Sequence, residues 1–292
     1  MAWFSFHGGH SGEFCRHASG SLAEVLESAV ARGFGIYGVS EHAPRERVED
    51  LYSDERDLLP ADLARIFQAY VERAARLREE FAGRPEVLVG FETEMVPPDG
   101  WLESMRALRA GSSFDYVVGS VHHVEGIGID VSERESARAA ERVGGGDALR
   151  CAYFDHLGAM VNGLRPTIVG HFDLIRKFDG ANPTFSVDAW KAIERALEAV
   201  REAGALLDVN SAPVRRRLGP PYPLPEILER ACRMGIGVTL GDDSHGPAHV
   251  GVGLETCLEA IALAGYRDVT CLRRRAGGTS AEAVPLEEVG PV

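Results

Sequence analysis

The first chemistry-bearing stretch of the chain is "FSFHGGHSGEFCRH", residues 4–17, which gathers His7, His10 and His17 around Cys15. More histidines and carboxylates follow at the ends of short apolar runs. His42 closes "GIYGVSEH", Glu92 and Glu94 close "VLVGFETEM", and His122 with His123 closes "FDYVVGSVHH". His171 and Asp173 end "TIVGHFD", while Asp242, Asp243 and His245 end "GVTLGDDSH". A single histidine in such a place is most often a hydrogen-bonded structural residue. Six of seven runs ending this way is hard to attribute to chance. Imidazole and carboxylate donors drawn from several segments suit Zn, Fe or Mn, and the set is large enough for two to three divalent ions. The five cysteines form no CxxC pair, which argues against a structural zinc module and for reduced thiols in a cytoplasmic protein.

Positioning such a set requires elements that end on one face. The apolar runs "AWFSFH", "GIYGVSEH", "VLVGFETEM", "FDYVVGSVHH", "TIVGHFD", "ALLDVNSA" and "GVTLGDDSH" read as strands, several of them covered on both faces. Helical patterns alternate with them near 21–32, 61–81, 101–110, 147–162, 186–203, 223–234 and 255–264. In the first of these, Ser21 and Glu24 form a capping box, Leu22, Val25, Leu26 and Ala29 form an apolar stripe, and Gly33 stops the helix. Seven βα pairs with right-handed crossovers predict an α/β fold, a closed or nearly closed parallel barrel whose strand ends converge on one face. A faint eighth strand, "DVTCLR", follows at 268–273. The reading gives one domain over 1–275 and a loose tail over 276–292.

The ordered set of a histidine-rich opening, "SEHAP", "GFETE", "GSVHH", "GHFD", "DVNSAPVRRR" and "GDDSH" resembles the PHP (polymerase and histidinol phosphatase) superfamily, and within it the histidinol-phosphate phosphatases. That resemblance implies a distorted (β/α)7 TIM-like barrel holding three metal ions. It implies the ligands His10, His17, His42, Glu92, His122, His171, Asp243 and His245, with Glu92 as the bridging carboxylate. Glu94, His123, Asp173 and Asp242 then take supporting or substrate-facing places. The opening departs from the family's HxH spacing: Gly8 stands where the first histidine belongs, and His7 comes one residue early. Strict alternation would turn His7 outward. Gly8-Gly9 offers a bulge that turns it back, making His7 a further metal ligand.

The chemistry implied is hydrolysis of a phosphate monoester, here L-histidinol phosphate in histidine biosynthesis, by a metal-bound hydroxide. No G-x-S-x-G nucleophile motif is present. The leaving group's general acid is left among Asp173, His123 and a metal-bound water. Guanidinium forks onto phosphate oxygens, so Arg215 or Arg216 in "SAPVRRR" is expected to hold the phosphate, with Arg176 and Lys177 in "LIRKF" the alternatives. The segment 44–60 is long for a βα connection and reads as a lid or an acidic surface loop. A formal net charge of −13 disfavours a nucleic-acid polymer as substrate, and no run of about 18 apolar residues predicts a membrane span. The rival readings are a nucleotide or oligonucleotide 3′-phosphoesterase and a non-catalytic metal-binding domain.

Overall fold

The computed structural model describes residues 2–180 and 183–290. Eleven strands are present among them. In chain order they are β1 (Trp3–Ser5), β2 (Phe34–His42), β3 (Glu86–Glu92), β4 (Val118–Gly119), β5 (His123–Val124), β6 (Ile127–Gly128), β7 (Ile168–Val169), β8 (Leu206–Asn210), β9 (Val238–Gly241), β10 (Asp268–Arg275) and β11 (Gly278–Pro285). Seven of them form one parallel sheet in the order β1-β2-β3-β4-β7-β8-β9. Its two edges meet: the Phe6 amide donates to Leu240 O at 3.0 Å, and the His10 amide to Ser244 O at 3.0 Å. The sheet thus curls into the expected barrel, joined at the β1–β9 seam by bonds beyond the strand ladders.

The helices cover the outside because their apolar stripes leave them no other stable place. Helix α1 (Leu22–Ala31) has the capping box expected of it, and buries Leu22, Val25, Leu26 and Ala29. Helix α2 (Pro60–Glu80) buries Leu63, Phe67, Tyr70, Ala74 and Leu77, and α3 (Trp101–Gly111) follows β3. Helix α4 (Glu133–Val143) went unread in the sequence because Ala139 is its one buried residue, too little to mark a stripe. Helices α5 (Gly146–Leu164) and α6 (Val187–Ala203) pack together, and α7 (Ala212–Arg215), α8 (Pro225–Arg233) and α9 (Leu254–Leu263) complete the shell. No described helix is long and apolar enough to cross a membrane.

The C-terminal segment differs from the loose tail expected. β10, the faint eighth strand, pairs not with the barrel but with β11, antiparallel from Asp268–Pro285 to Arg275–Gly278. Gly277 and Gly278 supply the hairpin's reversal, with φ of 98° and 141°. Val269, Cys271, Leu272 and Val284 are buried beneath the hairpin, and Arg273 and Arg275 pair with Glu282 across it. Residues 276–290 therefore belong to the folded domain, and the last two lie outside the described residues.

Candidate metal centre and catalytic cavity

Glu92 ends β3 and stands at the middle of the histidines. Three imidazoles reach its Oε1: His7 Nε2 at 3.1 Å, His171 Nε2 at 3.0 Å and His122 Nε2 at 3.3 Å. Two reach Oε2: His42 Nδ1 at 3.1 Å and His10 Nε2 at 3.7 Å. One carboxylate thus carries two different sets of nitrogen donors on its two oxygens. Around it, donor atoms within 4.8 Å of one another form the groups His7–Glu92–His171, His7–His10–Asp243 and Cys15–His17–His42–His245.

The other ring nitrogens face outward onto oxygen acceptors. His7 Nδ1 lies 2.6 Å from Asp208 Oδ2, His10 Nδ1 2.8 Å from Glu41 Oε1, and His122 Nδ1 3.3 Å from Glu94 Oε2. His17 Nδ1 lies 3.2 Å from Asp54 Oδ2, and His245 Nδ1 lies 3.0 Å from Asp243 O. An acceptor on one nitrogen fixes the tautomer and leaves the other's lone pair pointing at the centre, which is how metal-binding histidines are held. The inward atoms lack ordinary partners: His7 Nε2, His10 Nε2 and both ring nitrogens of His42 are buried without an aligned hydrogen bond. Orphaned nitrogens converging on shared carboxylates are costly in a protein alone and fit divalent cations. The donor set can hold them.

Charge follows the same geometry. Burial opposes ionisation of Glu92, but His7 and His122 outweigh it and hold its carboxyl well below the usual range. Burial likewise opposes charge on His122, yet Glu94 and Glu92 raise it to about 10. His17 goes the other way, lowered to about 4 by burial and by His42 and His10, so it is a neutral donor. Without cations the carboxylates draw protons onto the imidazoles, and cations would replace those protons.

Backbone geometry at the strand ends aims these side chains. Gly8 and Gly9 have φ of +138° and +74°, which turns His7 inward although it comes one residue early. Its carbonyl then accepts from two successive amides, Asp242 N at 3.1 Å and Asp243 N at 2.8 Å, so two residues face one as in a bulge. His171 and Asp243 also hold positive φ, 23° and 45°, in the strained region that non-glycine residues occupy mainly at functional sites.

Above the centre opens a cavity of about 350 Å³, whose floor is Glu92, His42, His122, His171, Asp243 and His245. Tyr52, Ser53 and Asp54 of the long 44–60 connection form one wall, so this segment covers the site. The segment is pinned there by the buried Arg45, which pairs with Glu55 and with Glu94 and stacks on Tyr52 at 4.3 Å. Asp130, Lys177, Arg216 and Tyr222 supply other parts of the wall.

The PHP domain family matches residues 8–212. A Schizosaccharomyces pombe protein named "Probable histidinol-phosphatase" is 38% identical over 248 residues, covering 83% of this chain and 81% of that protein. The chain belongs to the PHP histidinol-phosphatase family. The Saccharomyces cerevisiae histidinol-phosphatase is 27% identical over 84% of each chain. The fold matches the crystal structure of Lactococcus lactis histidinol phosphate phosphatase complexed with zinc, L-histidinol and phosphate. The TM-score is 0.69 and the identity 18%, covering 92% of this chain and 95% of that one.

This PHP chain brings all nine sequence-predicted ligand residues, His7, His10, His17, His42, Glu92, His122, His171, Asp243 and His245, to one face of the barrel. The phosphate and acid candidates divide. Arg216 and Lys177 line the cavity, and Lys177 Nζ lies 3.2 Å from Asp130 Oδ2. Arg215 instead turns back along the barrel and donates to the carbonyls of Asp242 and Asp243. Arg176 is buried beneath the wall, donating to Asp173 at 2.9 Å and to Pro220 O and Pro221 O at 2.8 Å, with its guanidinium over the Tyr222 ring. Asp173 also accepts from the Leu224 amide at 2.9 Å, and does not line the cavity. The pair braces the 220–224 loop, where the sequence suggested phosphate binding and acid catalysis. His123 lies behind Glu94, 3.6 Å from its Oε2 and stacked on Tyr52, also outside the cavity wall. Asp208, Glu41 and Asp130 went unassigned in the sequence. Glu41 stands beside His42 in "SEHAP", where an acid next to a candidate ligand was the available signal, whereas Asp208 lies within β8 with no candidate ligand beside it in sequence.

Proposed function

We propose that this enzyme hydrolyses L-histidinol phosphate to L-histidinol and inorganic phosphate at the Glu92 centre. The observation that carries this reading is the set of five imidazoles converging on both oxygens of one buried carboxylate, at the floor of a cavity sized for a small molecule. The Lactococcus complex and the histidinol-phosphatase relatives support the substrate. His7, His10, His17, His42, Glu92, His122, His171, Asp243 and His245 would hold two to three divalent ions, zinc, iron or manganese. When bound, such ions neutralise phosphoryl charge, acidify a water that attacks phosphorus, and steady the departing oxygen.

The chain's own residues supply the rest. Arg216 offers a guanidinium to the phosphoryl oxygens from the cavity wall. Asp208, Glu41 and Glu94 hold ligand imidazoles in one tautomer, so the donors need no reorganisation on binding. Tyr52 and Asp54 close the cavity over the substrate, and Asp54 or Asp130 can meet its ammonium or imidazole. With Asp173 and His123 outside the wall, the leaving oxygen takes its proton from water within the cavity. The enzyme would then act in histidine biosynthesis in the cytoplasm. The test is phosphate release from histidinol phosphate, nucleotides and 3′-phosphorylated oligonucleotides, with and without chelator. Chelator-sensitive release selective for histidinol phosphate is expected. Preference for a nucleotide or oligonucleotide overturns the substrate, and full activity in metal-stripped protein overturns the mechanism.

A further inference from the structure

We propose that Cys15 is itself a metal ligand, the thiolate corner of the His17–His42–His245 group, which makes one ion position of the centre a sulfur-containing site. The inference rests on the multinuclear reading above and adds a donor of a different chemical kind. Cys15 Sγ lies with one nitrogen of each of these three histidines in a set whose donor atoms are all within 4.8 Å of one another. That spacing matches four donors around one ion, because tetrahedral ligand atoms at zinc–nitrogen and zinc–sulfur distances are about 3.3–3.8 Å apart and relax outward when the ion is missing.

The loop is built to hold the sulfur there. The Phe14 and Cys15 amides both donate to Ser11 O, at 3.0 and 2.9 Å, which coils the chain into a turn directly after His10. Phe14 packs edge-on against Tyr70 and anchors the turn on helix α2. The Ser19 amide donates to His245 O at 3.2 Å, tying the far end of the loop to the segment that carries another member of the group. Cys15 is buried, and beside it both ring nitrogens of His42 are buried without an aligned partner. His17 and His245 stack at 5.0 Å between ring centroids, bringing their edges to the same point. On ligation the Sγ–H bond breaks, its proton leaves to solvent, and the sulfur–metal bond forms with no change of oxidation state. A thiolate among imidazoles favours zinc over manganese at this position.

Cobalt(II) reports this directly, because thiolate ligation gives a near-ultraviolet charge-transfer band that nitrogen and oxygen ligands do not. Metal-stripped full-length protein would be loaded with cobalt(II) and compared with Cys15→Ser and Cys15→Ala, with cobalt content measured in each. The wild type is expected to show the band, and either folded variant to lose it while keeping visible d–d absorption from the remaining cobalt. In zinc–manganese competition the variants should lose about 10-fold or more of the preference for zinc at one position. A fully loaded wild type without the band, or a band that persists in the variants, overturns the proposal while leaving the multinuclear centre standing. A protein that binds no cobalt overturns the centre and this ligand together.

Discussion

Gly8 is the position where the smallest possible change should be felt in the metal centre. A Cβ added there would lie 2.3 Å from Asp242 Oδ1 and 2.7 Å from the Ser244 amide nitrogen. Neither neighbour can give way easily. Asp242 is fully buried and its carboxylate is held by Tyr37 Oη at 3.0 Å, the Gly251 amide at 2.8 Å and the Ser244 amide at 3.1 Å. The backbone φ of +138° adds its own penalty for any L side chain. Holding alanine in that conformation costs about 1–3 kcal/mol, and forcing a methyl into a filled space costs about as much again. Gly8→Ala is therefore expected to lose about 2–6 kcal/mol, a fall in Tm of roughly 3–10 °C for a chain of 292 residues. The damage should reach the centre, because His7 O is held by the Asp242 and Asp243 amides and Gly8 follows it directly. Thermal melts of metal-stripped and metal-loaded protein, with elemental analysis of each, test both parts. Moving the histidine, His7→Phe with Gly8→His, recreates HxH spacing on paper, but it places a side chain in the same clash and should fail likewise. A Gly8→Ala protein that melts with the wild type and keeps its full metal content refutes this account of the Gly-Gly pair.

Asp208→Asn should weaken metal binding about 10- to 100-fold through loss of the charged acceptor on His7 Nδ1, measured by competition with a chelator of known affinity; unchanged affinity would show that His7 needs no orienting partner. Arg216→Ala should lower kcat/KM about 30- to 150-fold, the cost of one charge-assisted hydrogen bond to a phosphate at ~2–3 kcal/mol. Arg215→Ala should instead lower stability by about 1–3 kcal/mol through loss of its bonds to the Asp242 and Asp243 carbonyls, and denaturant titration beside kinetics separates the two arginines. In metal-stripped protein His122 is raised to about 10, burial being outweighed by Glu94 and Glu92. A raised histidine stabilises fully below its unfolded value near 6.5 and loses that contribution as pH rises through the folded value, so the stripped protein should weaken from about pH 6.5 to 10. Denaturation midpoints that stay flat or rise across that window would contradict it.

The clustering of the histidines and carboxylates was legible because their placement follows local rules. A parallel strand has a direction, so a histidine or carboxylate closing each run lands on the same face whatever the details of packing. His42, Glu92 and His171 follow from that rule, and His7 from the backbone freedom of two glycines. Helix α1 was legible for the same reason, since its cap and stripe lie within one short segment. What the sequence could not settle depends on partners far away along the chain. Arg215 and Arg216 are adjacent and chemically identical, yet one reaches back to carbonyls near 242 and the other faces the cavity. Asp173 and Arg176 turned inward to brace the 220–224 loop because that loop offers carbonyls and an amide that need buried partners. Asp208 orients His7 across 201 residues of sequence. Residue types and strand direction determined which histidines and carboxylates gather at one face of the barrel. Which arginine faces the cavity, and which acids meet the clustered histidines, was decided by tertiary structure, because a side chain's direction outside a regular element is set by the contacts it finds there.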